Sequence, residues 1–207
     1  MGRPRQFDDD TVLEAAMTTF WSKGFEATSV ADLVQATGLN RASLYGSFGP
    51  KQDVMAAALA HYDRTRVEPM LEMLRVGGID GILGFFSQFA TLAAESPDMA
   101  ALGCLLVNTT TEAATINPAF AAATGRYRRR LAKAMCAAVE GAVSAGDLSG
   151  PIENKADQLM LSTIGLFVTL RGGAATVEAG RLVDSVLDLV ESWRSATPRP
   201  SADSDQP

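Results

Sequence analysis

Ala36 to Gly46 reads A-T-G-L-N-R-A-S-L-Y-G and gathers Asn40, Arg41, Ser43 and Tyr45 within six positions. Side chains of these types offer hydrogen bonds and one positive charge, so their chemistry is recognition rather than bond making. Gly38 marks the end of one helix and Asn40 the start of the next. Two short helices joined by so tight a turn form a unit that reads duplex DNA. The chain nonetheless carries a formal net charge of -6, and DNA is a polyanion.

The distribution of charge relieves that conflict. Residues 1–66 hold seven Lys or Arg against eight Asp or Glu, whereas residues 67–207 hold eleven against sixteen. Residues 33–52 contain Arg41 and Lys51 and no acid. Asp8, Asp9 and Asp10 sit where a helix begins, beside the positive end of its dipole. The net charge therefore opposes strong non-specific DNA affinity but leaves a local docking face intact.

Other chemistry is scarce. With one histidine, His61, two cysteines, Cys104 and Cys136, no Cys-x-x-Cys and no Gly-rich phosphate loop after a strand, neither a His-rich metal site nor an enzyme's catalytic constellation can be assembled. No cofactor is implied. No apolar run reaches the ~18 residues of a membrane span, and the basic, polar start lacks a signal peptide's apolar segment. A cytoplasmic location with reduced thiols is the expectation.

Hydrophobic residues make up 47% of 207, enough to bury a core, and abundant Ala without β-branched alternation predicts an all-α protein. A first helix is expected over about 9–23, with Val12, Leu13, Ala16, Met17, Phe20 and Trp21 on one face. Ser29 and Asp32 fit a capping box opening the second helix. Asn40 caps the third, Leu39 and Leu44 staple it, and Pro50 suits the first position of a fourth. Breaks at Gly77-Gly78, Ser96-Pro97, Asn117-Pro118, 146–151 and Gly172-Gly173 separate longer helices, the last two over about 154–171 and 177–194. In the final helix Leu182, Val186, Leu189, Val190 and Trp193 make one apolar stripe. Residues 196–207 have nothing to bury and read as a disordered tail.

The ordered set K-G-F, T-S-V, G-L and L-Y-x-x-F followed by Lys51, spread over about residues 9–55, resembles the N-terminal DNA-binding domain of TetR-family transcriptional regulators. The segment G-C-L-L-V-N-T, 103–109, is more faintly similar to a subgroup of electrophile-sensing repressors. The resemblance implies a three-helix helix-turn-helix DNA-binding domain over 1–50 and a helical effector-binding and dimerisation domain over 51–195. It also implies that Arg41 reads guanine, a contact worth ~1–3 kcal/mol of discrimination. Ala42 would touch a thymine methyl, Ser43 a base or phosphate, and Ser47 shares their outward face. Ser29, Asn40, Tyr45 and Lys51 would hold phosphates, and Arg3 and Arg5 a minor groove. Family members often carry an aromatic residue and a histidine where Gly46 and Ser47 stand, so a short recognition helix, or one ordered only on DNA, is expected here.

A two-fold dimer would double the contacts on a palindromic operator, with the last two helices as its seam. Repression relieved by a small-molecule effector follows from the resemblance. Candidate effector contacts are Phe86, Phe89, Cys104, Val107, Asn108, Thr111, Phe120, Tyr127, Met160, Ile164 and Phe167, an apolar set with a few polar anchors; the same residues also fit a plain core. Cys104 is either a reactive sensor thiol or a buried inert one. The basic run of Arg126, Arg128, Arg129, Arg130 and Lys133 fits a solvated surface better than an acidic-ligand site. A helical interaction protein that has lost DNA binding is the other alternative.

Overall fold

The structure is a computed structural model, and it describes residues 8–194. Arg3, Arg5 and the 196–207 tail lie outside the described residues. Among those described, every extended element is a helix; one isolated bridge pairs Leu148 with Arg194.

The first three helices are α1 (Asp9–Lys23), α2 (Val30–Thr37) and α3 (Arg41–Phe48). Each begins on a side-chain cap. Asp8 accepts from Thr11 N–H, Ser29 and Asp32 complete a reciprocal capping box, and Asn40 accepts from Ser43 N–H at 2.8 Å. Gly38 ends α2 at φ 69°, a left-handed conformation that only glycine adopts without strain, and donates to Val34 at 3.0 Å. The turn to α3 is thus fixed by backbone geometry and one side-chain cap. Val12, Ala16, Met17 and Phe20 of α1 meet Leu33 and Leu44 in a common core, closed from beneath by α4 (Lys51–Tyr62) through Val54, Met55, Ala58 and Leu59.

Pro50 caps α4 rather than occupying its first turn. The chain then continues through a wide π turn, Asp63–Val67, directly into α5 (Glu68–Val76). Pro69 supplies a reason. It cannot donate to the carbonyl four residues back, and its ring clashes there in a regular helix; one wider turn relieves both. Arg130 reaches across this turn to Asp63 and Glu68.

The body continues with α6 (Gly78–Glu95), a short α7 (Pro97–Ala100), α8 (Leu105–Glu112), α9 (Pro118–Ser144), α10 (Ile152–Arg171) and α11 (Thr176–Glu191). The breaks expected at Gly and Pro are where these helices change. Two features differ from the sequence reading. The 103–109 segment holds a separate helix, because Gly103 at φ 66° turns the chain where a Cβ would come within 2.9 Å of the Phe167 carbonyl. The final stripe also splits: Ala179, Val183, Val186 and Val190 are buried, on a helix that packs against α6, while Leu182 and Leu189 stand half-buried beside α10.

Candidate nucleic-acid interface and cavity

The outer side of the three-helix head is built from α3. Leu44 is wholly buried, which fixes the rotation of this helix and turns Arg41, Ala42 and Gly46 to solvent, with Ser43, Tyr45 and Ser47 half-exposed. Arg41 lies over the Tyr45 ring, 5.4 Å from its centroid, and among the described residues has no carboxylate partner. The helix runs through Gly46 to Phe48 and is eight residues long, short as expected but not broken at the glycine. Tertiary packing of Leu44 outweighs the ~1 kcal/mol that glycine costs in a helix.

The remaining candidates frame that helix. Lys51 stands at the start of α4, over the Phe25 ring at 4.5 Å, and donates to the Glu26 carbonyl at 3.4 Å. The Ser29 hydroxyl is engaged within the capping box, and the Asn40 side-chain oxygen within its cap. Lys23 is neutralised by Asp32 at 2.6 Å. The Lys23 ammonium and the Ser29 donors hold the Asp32 carboxyl far below the usual carboxylate range. Head polar groups are thus mostly satisfied internally, and Arg41 is its free charge on α3.

A cavity of about 110 Å³ opens between α8, α9 and α10. Val107, Leu131, Ile164 and Val168 form its apolar walls; Thr110, Thr111, Thr124 and Tyr127 supply the hydroxyls, and Arg128 completes the lining. Of the sequence candidates, Val107, Thr111, Tyr127 and Ile164 line it. The others lie elsewhere. Phe86, Phe89 and Phe167 belong to a ring cluster with Phe85, with Phe89 and Phe167 centroids 4.9 Å apart. Phe120 packs edge-on against Phe25 of the head at 5.1 Å. Asn108 donates to the Leu102 carbonyl at 2.9 Å, and Met160 packs against the core. Thr110, Thr124, Leu131, Val168 and Arg128 were missed. The run Thr109-Thr110-Thr111 after the apolar start of α8, and Arg128 one position after Tyr127 on α9, were the available signals.

Cys104 is 1% exposed and sits beside the buried Tyr62 and Tyr127 hydroxyls. Burial pushes its thiol pKa up, and the same desolvation keeps both phenols neutral. A protonated, enclosed thiol is a poor nucleophile, so the geometry opposes the sensor reading. The Tyr127 hydroxyl is itself buried, with the Cys104 thiol as its polar neighbour.

Head and body also meet away from α4. Trp21 donates from Nε1 to the Leu102 carbonyl at 3.0 Å, and Arg171, the last residue of α10, donates to the carbonyls of Trp21 and Ser22 at 3.1 and 3.4 Å. These bonds secure the C-terminal end of α1, where helix carbonyls lack partners.

Residues 12–58 match the family model described as bacterial regulatory proteins, tetR family. Over this N-terminal segment the chain is similar to the tetR family. ComR, an HTH-type transcriptional repressor of Escherichia coli, is 38% identical over 120 residues, 56% of this chain and 55% of ComR. The chain therefore aligns with only about half the length of that relative. YezE of Bacillus subtilis, an uncharacterised HTH-type transcriptional regulator, is 29% identical over 151 residues, 72% of this chain and 77% of YezE. A cysteine mutant of the TetR-family regulator CifR, solved with 26 bp double-strand operator DNA, is 27% identical. It superposes with a TM-score of 0.75, covering 93% of this chain and 100% of the other. These relatives are regulators of transcription, not enzymes. Among the described residues no helix is long and apolar enough to cross a membrane.

Proposed function

We propose that this protein is a homodimeric transcriptional repressor, cytoplasmic with its DNA, released from a palindromic operator by a small-molecule effector. The observation that carries the reading is Arg41, exposed near the N-terminus of α3 without a carboxylate partner. With Ala42, Ser43 and Ser47 it enters the major groove. Tyr45 and Lys51 hold phosphates, as do the Asn40 amide and the Ser29 end of α2, whose other atoms serve as caps. Arg3 and Arg5 reach the minor groove. DNA recognition occupies 1–50 and effector binding with dimerisation 51–195, α4 being shared between them.

The dimer seam is assigned to α10 and α11. Leu161 and Val168 are 64% and 53% exposed, and a groove lined by Gly165, Leu182 and Leu189 runs beside them. Such a surface is costly in water and is suited to a partner copy. The effector occupies the α8–α10 cavity and stabilises a dimer geometry in which the two α3 helices no longer match successive grooves. Reciprocity requires DNA to weaken effector binding by the same factor, typically ~1–3 kcal/mol.

The test is a footprint and an anisotropy titration on the DNA flanking its gene. Protection in two symmetric halves, lost in Arg41→Ala, is expected. Unchanged binding by Arg41→Ala would remove α3 from the interface.

A further inference from the structure

We propose that the α8–α10 cavity takes a small apolar monocarboxylate, its hydrocarbon body inside and its carboxylate on Arg128. This rests on the reading of that cavity as the effector site and adds the chemical class of what fills it.

The donors of the lining decide the class. The Thr110 hydroxyl donates to the Leu106 carbonyl, Thr111 to Asn108 and Thr124 to Phe120. Their protons are therefore engaged within their own helices. The Tyr127 hydroxyl is buried beside the Cys104 thiol, so the donor left to the cavity is the Arg128 guanidinium, which forms no ion pair among the described residues. No carboxylate lines the cavity. A site with free donors, a positive charge and no negative one selects a hydrogen-bond acceptor and excludes an ammonium group.

The basic run on α9 also divides in a way that supports this. Arg130 is held by Asp63 and Glu68 at the π turn. Arg128 is the member of the run that reaches the cavity.

Size sets the body. A cavity of about 150 Å³ accepts benzene, so about 110 Å³ accommodates on the order of four or five carbons, with the charged end at the Arg128 side. A branched C5 acid such as isovalerate has those proportions.

The experiment titrates the full-length protein with isovalerate, its neutral isostere isovaleramide and the cation isopentylamine. Backbone amide shifts of α8, α9 and α10 report binding, and anisotropy of bound operator reports release. Isovalerate is expected to bind about tenfold tighter than the amide, the amine not at all. Arg128→Met should weaken the acid about tenfold more than the amide, bringing the two to similar affinity, whereas Tyr127→Phe, at a hydroxyl buried beside Cys104, should leave the acid-to-amide ratio in place. Equal affinities in the unmodified protein, a preference for the amine, or no binding of any of the three would overturn the carboxylate assignment. Isovalerate binding that depends on Arg128 but leaves operator affinity untouched would instead uphold the assignment and defeat the effector reading.

Discussion

The head and the cavity handle polar groups in opposite ways. In the head, Thr28 donates to Gly24, Thr37 to Leu33, Ser29 and Asp32 cap each other, and Asn40 caps α3. The free charge of α3 faces outward. Around the cavity the Arg128 guanidinium has no counter-ion among the described residues. The head is therefore complete before DNA arrives, whereas the cavity is incomplete until something enters it. A reader of fixed groove geometry needs the first property, and a sensor needs the second.

Two leucines probe the contrast at its largest scale. Leu44 is fully buried in the head core and Leu161 is 64% exposed on the body. Leu44→Ala should lose about 2–5 kcal/mol in urea denaturation. Leu161→Glu should leave protomer stability within about 0.5 kcal/mol yet shift sedimentation toward the monomer. Equal destabilisation by both would mean that Leu161 belongs to the protomer core and not to a seam. Next in size, Arg41→Ala should weaken operator binding by about 1–3 kcal/mol. Arg126→Ala, on the body, should leave sequence discrimination unchanged.

The head was the more legible of the two in the sequence. Its caps are local: Ser29 with Asp32, Asn40 with Ser43, Gly38 after α2, all within four residues. Local rules therefore found them. The helix breaks were legible for the same reason, since Gly and Pro act on their own neighbours. The cavity depends on which of many apolar residues across α8, α9 and α10 fail to touch. Phe86, Phe89 and Phe167 have the composition of a pocket wall, yet they close on one another as rings. No spacing rule separates a filled interior from an unfilled one. Gly46 was legible in part: α3 is short, at eight residues, but the packing of Leu44 carries it through the glycine.

Communication between the two regions gives an effect of intermediate size. α10 contributes Ile164 and Val168 to the cavity, and its last residue, Arg171, holds the Trp21 and Ser22 carbonyls. A ligand that displaces α10 thus acts on α1 independently of α4. Arg171→Met keeps most of the apolar stem and removes those donors. Operator affinity of the free protein and ligand affinity of the DNA-free protein should each stay within about threefold, while the coupling between them falls by about 1 kcal/mol. Coupling that survives intact would assign the transmission to Tyr62 and α4 alone.

The smallest effect tests whether the head is as complete as the comparison requires. A Cβ at Gly46 meets nothing within 4 Å, and its φ is not positive. Gly46→Ala should therefore raise stability by about 0.5–1 kcal/mol. Because α3 is already helical to Phe48 before binding, that gain belongs to the free protein and the complex alike, and operator affinity should change less than about twofold. If the helix instead formed only on DNA, the same gain would appear as tighter binding, about fivefold for 1 kcal/mol. Measuring urea stability and operator anisotropy on the one variant separates these cases. Stability without affinity is the signature of a preformed reader; affinity without stability would place the head, like the cavity, among the parts a ligand must finish.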